Sequence, residues 1–312
     1  MRSELRKDYI QEKYVIIAPR RADRPQDVLK VVAEHTRKAK VCAFCPEHPD
    51  HPSGLYCEFK KNSDAWQIKV VANKYPAVSL DNDKAYGTQE VIIETESHFH
   101  DLEQLAESHI AHLLSVYAHR TVAITKNDKI EYVLIFKNQG GKAGASLEHS
   151  HSQIFATDFI PPHLIDKSLR AQKYKLKHGS CVYCDTIKKE QEGQRLIYKD
   201  EYVIAFCPFA SMYNYEVWIM PMRHLDNITL LSDDERLAWA VILKKVLSKI
   251  VMLGFDYNFY FHQVVNDEDQ HFYMKVTPRG STWAGVEIGS GVVINPVAPE
   301  DAAGYFVSPS VI

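Results

Sequence analysis

The sequence repeats itself, and that repeat limits the chain's fold more than any other feature. Two Cys-x-x-C pairs, Cys42/Cys45 and Cys181/Cys184, stand 139 residues apart. Downstream of each comes Glu-Val-x-Ile, four residues and a histidine, so Glu90 matches Glu216 and His98 matches His224. A stretch with apolar residues near helical spacing follows in each half: Leu102, Leu105, Ile110, Leu113 and Tyr117, then Leu237, Val241, Val246, Ile250 and Val251. Each then reaches a run rich in β-branched and aromatic residues, IEYVLIFKN and DYNFYFHQV. Each ends on a strand-like segment opening with histidine, at His149 and at His271. The landmarks keep comparable distances: 56 and 51 residues in the first half, 43 and 47 in the second. Four matched landmarks in order are not chance. They predict two copies of an antiparallel sheet with helices on one face, an α+β fold.

The halves divide at about 1–165 and 166–312. The basic stretch 159–180, with Pro161 and Pro162, reads as a linker, and the glycine-bearing residues after 279 read as turns and loop rather than a third domain. No apolar run suits a signal peptide or a membrane span, and the net charge of -3 argues against a general polyanion binder. The expectation is a soluble cytoplasmic protein with no nucleic-acid or membrane partner.

Without a secretion signal, four of the six cysteines in Cys-x-x-Cys pairs mean metal or redox chemistry rather than a disulfide framework. The repeating histidines favour metal. Structural zinc takes four thiolate or imidazole ligands in a tetrahedron. The first half offers Cys42, Cys45, His98 and His149. The second offers Cys181, Cys184, His224 and His271. Two zinc ions per chain are expected.

The segment FKNQGGKAGASLEHSHSQIFA, from Phe136 to Ala156, carries the chemistry. A strand ends near Asn138, and glycines at 140, 141 and 144 let backbone N–H groups approach anionic oxygens. Side chains alternate along a strand, so His149, His151 and Gln153 share one face. One histidine can hold zinc while the next faces a phosphate and attacks phosphorus. All three could equally be zinc or packing residues.

Asn-x-Gly, then Gly-x-Ser, then His-x-His-x-Gln resembles the active-site signature of the galactose-1-phosphate uridylyltransferase family, a branch of the histidine-triad superfamily. The RRADRP element, NKYP at Asn73 and the tail with Gly285, Glu287 and Asn295 extend the resemblance over nearly the whole chain. It implies tandem histidine-triad-like repeats and a nucleotidyltransferase. In that reading His151 accepts the nucleoside monophosphate, while Gln153 and Ser146 bind phosphoryl oxygens. Asn138 and Gly144 shape the phosphate loop, and Arg21, Arg24 and Asn73 contact the nucleotide. Glu287 and Asn295 belong to the part that holds the sugar, and His149 ties the strand to the metal. The implied substrates are a nucleoside diphosphate sugar with a sugar 1-phosphate or inorganic phosphate, and the implied assembly is a homodimer. Ser150 and Ser152 replace the proline and glycine of many sugar-uridylyl members. HSHSQ is similar to relatives acting on adenine nucleotides, such as ADP-glucose and diadenosine-polyphosphate phosphorylases. The second half reads His271-Phe-Tyr273-Met-Lys275, which keeps the ligand position and lacks the nucleophile. One active site per chain is expected. A histidine-triad hydrolase, or a zinc-bearing binding module without turnover, stands as the rival reading.

Overall fold

The computed structural model describes residues 3–23, 42–46, 48, 56–59, 66–265 and 267–309. The first half supplies β1 (Glu4–Lys7), β2 (Tyr14–Ile17), β3 (Tyr56–Phe59), β4 (Trp66–Ala72), β5 (Gly87–Ile93), α1 (Glu107–Ile124), β6 (Tyr132–Gln139) and β7 (His151–Thr157). The second supplies α2 (Pro162–His178), α3 (Val182–Glu190), β8 (Leu196–Lys199), β9 (Val203–Phe206), β10 (Val217–Pro221), α4 (Asp233–Met252), β11 (Tyr257–His262) and β12 (Tyr273–Pro278). The tail adds α5 (Gly285–Ser290), β13 (Val293–Asn295) and α6 (Pro299–Val307).

Ten strands form one antiparallel sheet in the order β3-β4-β5-β7-β6-β11-β12-β10-β9-β8. Read from either end inward, the two halves have the same topology, and they meet at the β6–β11 seam. There Asn138 stands opposite Asn258, and Phe136 opposite Tyr260. The repeat expected from the sequence is present, but the expected two sheets are one. An edge strand carries unpaired N–H and C=O groups, and joining β6 to β11 satisfies both.

α1 and α4 occupy equivalent positions on one face of the sheet and pack against each other. α1 buries Ile110, Leu113, Leu114, Tyr117, Thr121 and Ile124, a stripe at helical spacing. α4 begins in a capping box, with the Ser232 hydroxyl accepting from Glu235 N at 3.2 Å and Glu235 reaching back to Ser232 N. Both helices share one core with the sheet, in which Trp239, Phe261 and Phe272 are fully buried. Burying a large aromatic contributes on the order of 2–3 kcal/mol, so this core is the main support of the sheet.

The opposite face breaks the symmetry. Over the second half, α2 and α3 cover it, with Ala171, Tyr183 and Ile187 on Phe206, Trp218, Met220 and Tyr273. Over the first half, the corresponding face carries a small cluster of Val71, Val91, Ile93 and Phe44. The stretch read as a linker is therefore mostly helix α2. Leu164, Lys167 and Ala171 fall on its buried side, and Gly179 at φ +73° ends it. The tail is likewise more ordered than expected. β13 pairs in parallel with β2, and Ala302, Ala303 and Phe306 of α6 enter the main core. Among the described residues no helix is long and apolar enough to cross a membrane.

Candidate active site and metal centres

Cys42 and Cys45 lie on a turn closed by Cys45 N–H donating to Cys42 O at 3.1 Å. With His98 and His149 they form a buried group whose ligand atoms all lie within 4.8 Å of one another. Cys45 Sγ is 3.5 Å from His98 Nδ1 and 3.7 Å from His149 Nδ1, and Cys42 Sγ is 3.8 Å from His149 Nδ1. Zn–S of about 2.3 Å and Zn–N of about 2.0–2.1 Å at tetrahedral angles would set S and N about 3.6 Å apart. The cluster already has those edges. The second nitrogen of His149 donates to Thr95 O at 2.7 Å, which leaves the Nδ1 lone pair facing the sulfurs.

The second centre is assembled in part. Cys181 is the N-cap of α3 and Cys184 lies in its first turn; with His224 they form a group within the same 4.8 Å limit. Cys184 Sγ is 3.4 Å from His224 Nδ1, and His224 Nε2 donates to Glu268 O at 2.9 Å. The hydrogen bond from Cys184, and after it that from His224, lower the pKa of the Cys181 thiol against the opposing effect of burial. His271, expected as the fourth ligand, stays outside the group. Its ring centre is 4.9 Å from that of His224, but its Nδ1–H donates to Phe272 O at 3.0 Å. Its Nε2 is buried and makes no hydrogen bond among the described residues. An imidazole nitrogen with a lone pair and no partner in a buried site suits a cation. The donor set of Cys181, Cys184 and His224 thus fits a metal, with His271 beside it.

Between β6 and β7 the chain forms the glycine loop. Gly140 has φ +85°, and a Cβ there would sit 2.2 Å from the Asp256 carboxyl carbon, so any other residue would be strained and would displace that carboxyl. Asp256 accepts from Lys142 N at 2.7 Å. Asn258 Nδ2 donates to Asn138 Oδ1 at 2.8 Å and to Ala143 O at 2.7 Å. The second half therefore holds the first half's loop. Gly144 is also left-handed, at φ +85°, and Ser146 is exposed on the loop.

His151 opens β7 and is 6% exposed. Its Nδ1–H donates to His149 O at 2.8 Å, which puts the lone pair on Nε2. Burial first, and the Lys137 charge next, hold its pKa below the usual value, so the ring is neutral near pH 7. Gln153 lies on the same face. Its Oε1 accepts from Gln89 Nε2 at 3.0 Å and from Asn73 Nδ2 at 3.5 Å, which leaves its NH2 as the group to offer a ligand.

Behind the strand, on the helix side, lies a network that sequence reasoning missed. The ion pair Lys137–Glu94 is fully buried at 2.7 Å. Lys137 Nζ also donates to Ser150 Oγ at 3.0 Å and to His151 O at 3.1 Å, and Tyr117 OH donates to Ser152 Oγ at 2.6 Å. The two serines of HSHSQ thus serve the interior and leave the histidines and Gln153 to the other face. A lysine at an inward position of an otherwise apolar strand was the signal available. Asp256 and Asn258 carried no such signal, because their partners lie more than a hundred residues away.

The remaining predicted residues are dispersed. Arg21 is exposed on a short turn at Pro19–Asp23, and Arg24 lies outside the described residues. The Glu287 carboxylate accepts from Ala284 N at 2.9 Å; that bond is the first cause holding its pKa low, with the Arg21 charge a lesser one, so these two are neighbours. Asn295 is buried at 1% exposure. Its Nδ2 donates to Ser211 O and Tyr213 O, and its Oδ1 accepts from Val297 N. That amide joins the tail to the loop between β9 and β10.

A duplicated antiparallel fold with one His-x-His-x-Gln strand beside a glycine loop defines a nucleotidyltransferase. The profile of galactose-1-phosphate uridyl transferase, N-terminal domain, matches residues 2–161, and that of a domain of unknown function matches 87–308. The chain is 31% identical to ADP-glucose phosphorylase of Arabidopsis thaliana over 96% of this chain and 91% of the relative. It is 29% identical to galactose-1-phosphate uridylyltransferase of Thermotoga maritima over 84% and 92%. The crystal structure of the Arabidopsis ADP-glucose phosphorylase with bound ADP-glucose superposes with a TM-score of 0.88 at 30% identity, covering 100% of both chains. The chain belongs to the galactose-1-phosphate uridylyltransferase family.

Proposed function

We propose that the protein transfers a nucleoside monophosphate from a nucleoside diphosphate sugar through a covalent nucleotidyl-His151. The orientation of His151 carries the reading: a buried neutral imidazole, Nδ1 held by His149 O, Nε2 free to attack. In the first step Nε2 attacks the α-phosphorus in line; the P–N bond forms, and the P–O bond to sugar 1-phosphate breaks. In the second, a phosphate oxygen attacks the same phosphorus and His151 leaves as the neutral imidazole. The backbone of the glycine loop, with Gly144, Ser146 and Asn138, and the Gln153 NH2 stabilise the phosphoryl oxygens. Asn73 and the Arg21 and Arg24 guanidiniums contact the nucleotide, and Glu287 the sugar.

Two zinc ions per chain, on Cys42, Cys45, His98 and His149 and on Cys181, Cys184 and His224 with His271 brought in, would clamp the strands that bear the site. Zinc supplies a structural cross-link here, since all four first-centre ligands come from the protein. The half at 1–165 bears the reaction and the half at 166–312 supports it. The assembly is a homodimer in the cytoplasm.

The main reading takes a sugar 1-phosphate as acceptor and a uridine nucleotide. The alternative, an ADP-glucose phosphorylase with inorganic phosphate as acceptor, is favoured by the full-length likeness to the Arabidopsis enzyme and by Ser150 and Ser152. Loading with UDP-glucose and, separately, ADP-glucose, then discharge by galactose 1-phosphate or by phosphate, distinguishes them. Discharge by water as fast as by either acceptor would mean a hydrolase, and no loading from either donor would remove the transferase reading.

A further inference from the structure

A cavity lies where the second repeat lost the nucleophile, and it extends across the β6–β11 seam onto the first half. Tyr273 and Lys275 of β12 stand where His151 and Gln153 stand on β7, on the same face of the shared sheet. Over them lies a cavity of about 540 Å³, walled on one side by the beginning of α2. That volume is within the range of sites for small organic ligands.

The chemistry of its walls is specific. Lys167, on α2, is 8% exposed, and its Nζ donates to Tyr273 OH at 2.7 Å. No carboxylate lies within ion-pair distance of it among the described residues. Burial holds this ammonium down to about 7, and the Asp8 charge raises it only in part. Asp8, the one acid in the lining, already accepts from Ile10 N and Gln11 N at 2.9 and 2.8 Å. Lys275 is matched by Glu216 at 2.8 Å, whereas Lys13 and Arg279 at the rim add positive charge. A buried ammonium without a counter-charge is costly, and a bound anion relieves that cost. The remaining walls are flat. Trp218 stacks on Tyr273 at 4.5 Å and 18°, and Tyr213 on Trp283 at 5.4 Å and 19°. Trp218 and Tyr273 cover each other and are buried, whereas Trp283 is 37% exposed and keeps an outer face that suits a sugar ring or a base.

We propose that this cavity, which adjoins the nucleotidyl-transfer site at Asn138, is a second ligand site that binds a phosphate monoester carrying a sugar or base. The phosphate meets Lys167, with Arg279 at the rim, and the ring lies against the exposed face of Trp283. The proposal does not depend on the reaction at His151.

Calorimetric titration of the intact metal-loaded protein with inorganic phosphate, glucose 1-phosphate and AMP tests it. At least one ester should bind at two sites per chain. Lys167→Met should abolish the second site, and Arg279→Ala should weaken it tenfold or more. Neither should change the rate at which His151 is loaded. Arg279 is half-buried at the rim, so its removal decides the matter should Lys167→Met not fold. One site per chain for all three probes would overturn the proposal. So would a second site that survives both substitutions. Inorganic phosphate binding as tightly as both esters would overturn the assignment to a ring-bearing ligand.

Discussion

Lys137 shows how much of the site's geometry rests on a residue that touches no substrate. Its ammonium is fully buried and joins Glu94, Ser150 and the carbonyl of His151. Removing one member of a buried pair leaves the other charge uncompensated, which costs about 3–5 kcal/mol. Lys137→Met should lower the unfolding free energy by that amount in urea titration. The double substitution with Glu94→Gln should cost clearly less than the sum of the two single ones. Additive losses would mean that the two groups do not act as a pair. Gly140→Ala should also destabilise the protein, because φ +85° is strained for alanine and the Asp256 carboxyl fills the space a Cβ needs.

At the scale of elements, the seam is where the halves depend on each other. β11 presents Asn258 to Asn138 and Ala143, so the geometry of the glycine loop is set from the second half. Asn258→Ala should slow nucleotidyl loading by about 10–100-fold, the usual effect of small misplacement in a positioned site. The accompanying loss of stability should be about 1–2 kcal/mol. Rapid-quench measurement of loading, set beside thermal unfolding, checks both, and an unchanged loading rate would remove Asn258 from the positioning role. This seam was not legible in the sequence. The repeat was, because Cys-x-x-Cys, Glu-Val-x-Ile and the strand histidines are local patterns. So were α1, α4 and the face shared by His151 and Gln153, because periodicity reports burial. Pairing of β6 with β11 is a contact between distant segments and leaves no periodic trace. α2 was missed because its proline pair and basic residues looked like a linker, yet proline in the first turn is compatible with a helix. The tail was missed because Gly285, Gly289 and Gly291 hid two short elements held by tertiary contact, β13 on β2 and α6 in the core.

The molecule as a whole is two copies of one unit, each with a Cys/His group able to hold a metal, and only the first with a histidine at the position of His151. Metal analysis should find close to two zinc ions per chain. Cys42→Ser and Cys181→Ser should each reduce the count by about one and lower the thermal midpoint, because structural metal binding contributes folding free energy. A folded, active protein free of metal would contradict this. The most direct test of the account concerns His151 itself. The protein is incubated with ADP-glucose or UDP-glucose and no acceptor, and its intact mass is measured. The account predicts one added nucleoside monophosphate per chain, acid-labile and base-stable, absent in His151→Gly and still formed in Tyr273→Phe. An adduct that persists in His151→Gly, or a His151→Gly protein that turns over at a tenth of the wild-type rate or more, would contradict it.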